Sequence, residues 1–169
     1  MLPQAVKASQ TVTPGGDLIL PELIDGVRVK EVRSVVARNG VVTEAWRAEW
    51  LGEETRPAHV VYCTLAAQGV SNWHCHQHQN DLLMVVRGLV QVSMYDPRPD
   101  SPTRGMLNRL AVSGVRPTLF YIPANVWHAL KNLAGDEAAY LTMNSAAFDY
   151  ADPDDWKLPP GDPALPPPF

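Results

Sequence analysis

Three of the chain's five histidines fall within five residues, in Trp73-His74-Cys75-His76-Gln77-His78-Gln79-Asn80-Asp81. Side chains alternate along an extended strand, so His74 and His76 share one face and Cys75 takes the other. Two imidazoles at that spacing can share one ion, or exchange protons near neutral pH. Asp81 follows, then the apolar run Leu82-Leu83-Met84-Val85-Val86 and the turn Arg87-Gly88. A further histidine closes Pro123-Ala124-Asn125-Val126-Trp127-His128. There Pro123 stops one strand and Asn125 tolerates a left-handed turn before His128 re-enters. His74, His76, Asp81 and His128 make a mixed nitrogen and oxygen set that suits zinc, iron, nickel or manganese. Trp73 stands beside them as a candidate to stack on a ligand ring. His78 is expected at the rim of such a site. His59 lies on a separate strand and reads as a surface or core histidine.

Bringing these groups together takes facing strands. Val27 to Val32 alternates apolar and polar residues, as a half-buried strand does. Val35-Val36-Ala37, the turn Arg38-Asn39-Gly40 and Val41 to Trp46 read as a hairpin. Arg47 to Leu51 continues that strand or begins a short helix, and Gly52 to Pro57 reads as a solvated loop. Further strands are expected at Ala58–Leu65, Asp81–Arg87, Leu89–Tyr95, Met106–Val112, Thr118–Pro123, Asn125–Asn132 and Ala138–Met143. Turns at roughly ten-residue spacing point to an all-β barrel or sandwich. With 169 residues, 46% of them hydrophobic, one domain is expected. It divides into an irregular N-terminal arm (1–26), a β-barrel (27–150) and a Pro-rich tail (151–169). Asp17 to Leu20 reads as a short edge strand within the arm. The tail, with Leu158-Pro159-Pro160 and Pro166-Pro167-Pro168-Phe169, excludes helix and central strand. It is a polyproline-like arm, either solvated or laid across an apolar surface.

A net charge of −4 argues against nucleic acid as a partner. No apolar run reaches the length of a membrane span, and no basic-then-apolar leader opens the chain. A cytoplasmic protein is expected, with Cys63 and Cys75 as reduced thiols.

The segments Gly69-x4-His74-x-His76-x4-Asp81-x6-Gly88 and Pro123-x-Asn125-x2-His128-x3-Asn132 resemble the paired signature of the cupin superfamily. The spacer after Gly69 is one residue short of that signature. The resemblance implies a small antiparallel jelly-roll barrel (a double-stranded β-helix), often dimeric. Asp96-x-Arg98-x2-Ser101-Pro102-Thr103-x-Gly105 looks like a segment of dTDP-4-dehydrorhamnose 3,5-epimerases. Arg38-x-Gly40-x3-Glu44 and Phe120-Tyr121-Ile122-Pro123-x4-His128 are similar to further pieces of that family. The likeness runs from about Val27 to Asp155.

What the resemblance implies is an epimerase or isomerase acting on a nucleotide-linked keto-deoxy sugar, with no cofactor required. A barrel histidine removes a proton next to a ketone, and a tyrosine returns one on the other face. Carried over by position, His76 matches the base and Tyr150 the acid, with Trp73 and His128 contacting substrate. Trp73 stands where the family has an arginine, and Asp81 where it has a lysine. The C-terminal aspartate that orients the family's base has no counterpart. A carboxylate cannot stabilise an enolate, so a metal at His74, His76, Asp81 and His128 could serve instead as Lewis acid. Three readings stand side by side: the epimerase, a metal-dependent cupin (oxygenase or isomerase), and a non-catalytic sugar-binding cupin. A sugar nucleotide is the expected small-molecule partner, and a homodimer the expected assembly.

Overall fold

The computed structural model describes residues 5–169, so the first four residues of the arm lie outside it. The strands, in chain order, are β1 (Arg28–Glu31), β2 (Ser34–Ala37), β3 (Gly40–Thr43), β4 (His59–Leu65), β5 (Val70–Cys75), β6 (Asp81–Arg87), β7 (Leu89–Tyr95), β8 (Leu107–Ser113), β9 (Thr118–Ile122), β10 (Trp127–Asn132), β11 (Ala138–Asn144) and β12 (Trp156–Lys157). Sheet one has the order β1-β9-β6-β11-β4, and sheet two β12-β5-β10-β7-β8. Every pairing is antiparallel. The hairpin β2–β3 belongs to neither sheet. The all-β jelly-roll expectation therefore holds.

Alternation along β6 explains how the sheets join. Leu83 and Val85 face the space between the sheets, with Val90, Val92, Phe120, Ile122 and Leu130. Leu82 and Met84 face the other way, into a second core with Leu119, Tyr121, Met143 and Leu51. Burial on both faces is what makes the run continuously apolar. The second core is covered by residues 45–51, which include the one-turn helix α1 (Ala48–Leu51) rather than a continued strand. The loop after it contains a 3-10 turn over Glu53–Thr55. In the arm, Val12 and Leu18 form one isolated bridge, so Asp17 to Leu20 is not a full strand.

Two turns depend on backbone in the left-handed region. Gly88 has φ +83 between β6 and β7, and a Cβ there would meet the Ala138 methyl at 2.8 Å. Only glycine fits both demands. Asn125 takes the expected left-handed conformation, φ 65, just ahead of β10. Among the described residues, no helix is long and apolar enough to cross a membrane.

Candidate functional site: a histidine cleft between the sheets

β5 does not run in simple register with β10. His128 faces His74, but Leu130 faces Ser71, so three steps on β5 answer two on β10. This bulge at Asn72–Trp73 puts Ser71 and His74 on one face, and His76 follows two residues later. His128 comes from the neighbouring strand β10. The rings of His74 and His128 stand 4.1 Å apart, and that of His76 lies 5.6 Å from His128. Asp81 comes across from sheet one, at the first residue of β6. Its Oδ2 lies 3.2 Å from Nε2 of His76 and 3.3 Å from Nε2 of His128. Its Oδ1 accepts from the Asn144 amide at 2.7 Å and the Gln79 amide at 3.3 Å. The four residues expected to come together do so.

All three rings are held in the same way. Nδ1 of His74 faces the Asn72 carbonyl at 3.0 Å, and Nδ1 of His128 faces that of Val126 at 3.1 Å. Nδ1 of His76 is hydrogen-bonded to the Asp154 carbonyl. Fixing Nδ1 leaves the three Nε2 atoms to converge, and one ligand atom from each ring falls within 4.8 Å of the others. Nε2 of His74 makes no hydrogen bond to the described residues.

Electrostatics divides the cluster. Burial opposes charge on His76, but the hydrogen bond and field of Asp81 outweigh it and raise the pKa to about 8. Its two nitrogens both face acceptors, which takes two N–H groups and hence the imidazolium. His74 is pushed down to about 3, first by burial and then by the positive field of His128. Burial works against ionisation of Asp81, but hydrogen bonds from His128 and His76 win and hold it well below the usual carboxylate range. A native pKa raised from 6.5 to about 8 makes His76 a stabilising group below pH 6.5. That contribution, about 2 kcal/mol at most, should fade as pH rises through 8. Chemical denaturation across that window checks it: His76→Asn should flatten the slope.

The cleft has a volume of about 520 Å³ and is lined from sheet one by His59, Cys63, Tyr140, Thr142 and Asn144. It is lined from the C-terminal segment by Phe148, Asp149, Asp152, Asp154, Asp155 and Lys157. His59 is therefore a cleft residue and not a stray histidine, and His78 takes its expected place among the lining residues. The inward parity of β4 and β11 was the available signal for His59 and Tyr140. The tail is likewise no solvated appendage. β12 pairs with β5 beside His74, and the Leu158 amide donates to the Trp73 carbonyl at 3.0 Å. Ser93 and Arg109 donate to the Pro168 carbonyl at 2.7 and 2.9 Å. The tail thus lies over the outer face of sheet two.

Two expected site residues, the substrate-binding Trp73 and the catalytic Tyr150, are placed elsewhere. Trp73 neighbours His74 on the strand and so faces outward. Its indole is 5% exposed, and Nε1 donates to the Pro166 carbonyl at 2.9 Å, beneath the tail. Tyr150 is 88% exposed with its ring against Phe148, and it does not line the cleft. Trp73 as a stacking residue and Tyr150 as the acid are corrected accordingly.

Asp154 is a site residue that no motif indicated. Its carboxylate accepts from the backbone N–H of Gln77 (2.8 Å), His78 (2.8 Å) and Gln79 (3.1 Å). Those bonds hold its own pKa down against burial. The same residue's carbonyl takes Nδ1 of His76, so the turn after β5 and the ring are fixed together. Asp154→Ala should cost about 1–2 kcal/mol. It should also broaden the His76 ring resonances in a nitrogen-15 spectrum, whereas Asp154→Asn should keep part of the effect.

The chain matches the family model described as dTDP-4-dehydrorhamnose 3,5-epimerase over residues 22–166. A Haloferax volcanii protein described as a probable low-salt glycan biosynthesis epimerase is 28% identical over 141 residues, covering 83% of this chain and 90% of the relative. A spore coat polysaccharide biosynthesis protein of Bacillus subtilis is 26% identical over 140 residues, covering 81% and 90%. Among solved structures, a dTDP sugar isomerase from Desulfovibrio desulfuricans superposes with a TM-score of 0.77 at 22% identity, covering 85% of this chain and 90% of that one. A 4-keto-6-deoxy sugar epimerase from Streptomyces spheroides gives 0.74 at 23% identity, covering 86% and 75%. The likeness to both structures lies in the two-sheet barrel, and the family model takes in β1 to β12 with the histidine cleft between them. The chain belongs to the dTDP-4-dehydrorhamnose 3,5-epimerase family.

Proposed function

We propose that this chain epimerises a dTDP-linked 4-keto-6-deoxy sugar at a carbon next to the ketone. The observation that carries the reading is the cleft: convergent imidazoles on one wall, in a chain of this family. His74 is the base, because its Nε2 is the ring nitrogen left without a partner among the described residues. Its low basicity comes from burial and the positive field of His128, and the negative charge of a forming enolate offsets both. His76 occupies the position that the family resemblance gives to the base, but both of its nitrogens are engaged. As an imidazolium held by Asp81 it supplies the positive charge that the replaced lysine would have given. His128 shares the Asp81 carboxylate and closes the cluster. The test is incubation with dTDP-4-keto-6-deoxyglucose in deuterium oxide. Deuterium should enter next to the ketone and the configuration there should invert. No incorporation with any dTDP-linked 4-keto-6-deoxyhexose overturns the reading.

A metal-dependent reading has its own support. Three rings fixed through Nδ1 by backbone carbonyls, with a carboxylate at the centre, are also the outer-shell pattern of a metal site. His74, His76, His128 and Asp81 would hold zinc, iron, nickel or manganese, and the ion would supply Lewis acidity to the ketone oxygen. Stoichiometric metal in purified protein, lost with His128→Ala, would favour it.

The homodimer is proposed on the hairpin. Val35, Val36, Val41 and Val42 are all exposed on β2–β3, which is hydrogen-bonded into neither sheet. A second copy is the occupant we assign to that face. Light scattering should give a dimer mass, and Val36→Asp should shift it toward the monomer.

A further inference from the structure

Asp81 has two oxygens and serves four neighbours. Oδ2 stands between Nε2 of His76 at 3.2 Å and Nε2 of His128 at 3.3 Å, while Oδ1 takes the amides of Asn144 and Gln79. One oxygen can serve both rings only while the plane of the carboxylate is held. A rotation about the Cβ–Cγ bond would swing Oδ2 off one ring or both. Two groups hold that plane, and they differ in stiffness. Gln79 reaches Oδ1 at 3.3 Å, on a side chain with three torsions, from the turn after β5. Asn144 donates at 2.7 Å, on a side chain with two torsions, from the last residue of β11. The shorter side chain has less freedom to lose in holding its partner. The Asn144 backbone is itself fixed on both sides. It stands opposite Asp81 on β6 and opposite His59 on β4, and its carbonyl accepts from the Ala58 N–H at 2.8 Å. The residue lines the cleft yet is only 9% exposed.

The charge of the orienting group matters as much as its reach. Asp81 serves the cluster as an anion with its charge turned toward the rings. A lysine in place of Asn144 would draw that charge to itself. A second carboxylate in contact with the first would force the two to share a proton. An amide N–H orients an acceptor and brings no net charge. The ionised carboxylate only accepts, so it takes the NH2 end of the Asn144 amide. We propose that Asn144 is a positioning residue of this site: its amide sets the plane of the Asp81 carboxylate, so that one oxygen serves His76 and His128 together. It acts through Asp81 and not on the substrate. The effect on rate rests on the epimerase reading, because the fixed carboxylate keeps the charged ring of His76 beside the enolate.

Asn144→Leu removes the donor at nearly the same volume, and Asn144→Ser leaves room for a water in its place. With dTDP-4-keto-6-deoxyglucose in deuterium oxide, Asn144→Leu should lower kcat by about 10-fold to 100-fold while KM stays within about twofold. Asn144→Ser should lose less. In the Asp81→Asn background, Asn144→Leu should cost almost nothing more, because the group it acts through is gone. Nitrogen-15 signals of Nε2 in His76 and His128, read without substrate, should shift or broaden together in Asn144→Leu. A native pattern of backbone amide signals shows that the fold is kept, and if Asn144→Leu does not fold the same readings are taken on Asn144→Ser. The inference is overturned if a folded variant keeps the native kcat, or if KM rises in place of a fall in kcat. It is also overturned if the loss multiplies in full with that of Asp81→Asn. Unchanged ring signals overturn it whatever the substrate proves to be. Failure of the epimerase reading itself would show in the unmutated chain, as absence of exchange.

Discussion

Asp81→Asn is expected to lower turnover by about 100-fold to 1,000-fold. It should also move the alkaline limb of the pH–rate profile to lower pH. The carboxylate is 4% exposed and is the one anion inside the imidazole cluster. It holds His76 charged up to about pH 8. An amide there presents either a neutral oxygen or an N–H to a ring that donates, so the imidazolium loses its reason to persist. The sign follows from the direction of each shift. His76 should titrate lower without Asp81, and the charge available to an enolate should disappear earlier as pH rises. Stability at neutral pH should drop by about 2 kcal/mol, because the amides of Asn144 and Gln79 keep an acceptor but the rings do not. Rate profiles and proton resonances of His76 measure both effects. A native profile in the variant would show that Asp81 does not hold the charge.

Asp96→Ala should be the most destabilising single change away from the cleft, at about 3–5 kcal/mol. Asp96 is fully buried, and Arg98 grips it with Nε at 2.8 Å and Nη2 at 2.9 Å. Ser101 and Thr103 hydroxyls donate to the same carboxylate, Thr103 at 2.7 Å. Burial alone would raise this carboxyl, but the bonds from Arg98, Ser101 and Thr103 keep it well below the usual range. Thr103 also accepts from the Asp25 amide at 2.8 Å, and Arg98 reaches the Asp25 carbonyl at 2.7 Å. The knot thus fastens the loop after β7 to the segment that leads into β1. Removing the anion leaves a guanidinium with one backbone partner and unties both pieces. Urea titration checks the magnitude. Retained deuterium exchange at low temperature would show that the cleft is built independently of the knot.

Much of this architecture could be read from the chain because burial imposes a pattern. The run from Leu82 to Val85 reads as a strand buried on both faces, and Asn125 suits a left-handed turn. His74, His76, Asp81 and His128 were legible as a set because alternation and two turn motifs place them. The same alternation argues against Trp73, which is one residue from His74 and so on the other face. Its proximity in sequence outweighed its parity. Tyr140 and His59 were harder. Their strands are plain, but whether a given residue points in or out depends on pairing with partners far along the chain. Asp154 lay beyond reach, since its three N–H donors and the ring of His76 are more than seventy residues away. A Pro-rich ending also suggests solvent, yet here its carbonyls are what Ser93, Arg109 and Trp73 bind.

The extra residue in β5 makes the site an odd-numbered construction. Counted from Gly69, whose carbonyl is tied to the Asn132 amide at 2.9 Å, His74 reaches the inner face only because one step is absorbed at Asn72–Trp73. Deleting Asn72 would remove the bulge together with the residue and leave Ser71, Trp73 and His74 in plain alternation, so the histidines would keep the inner face. Deleting Cys75 has no bulge to absorb it, and would turn His76 outward with Gln77 in its place. A length change in this strand is therefore graded by whether it falls on the extra residue. Descendants of this sequence can lose Asn72 and keep the cleft, while a single insertion or deletion between His74 and His76 is inherited only together with a new bulge.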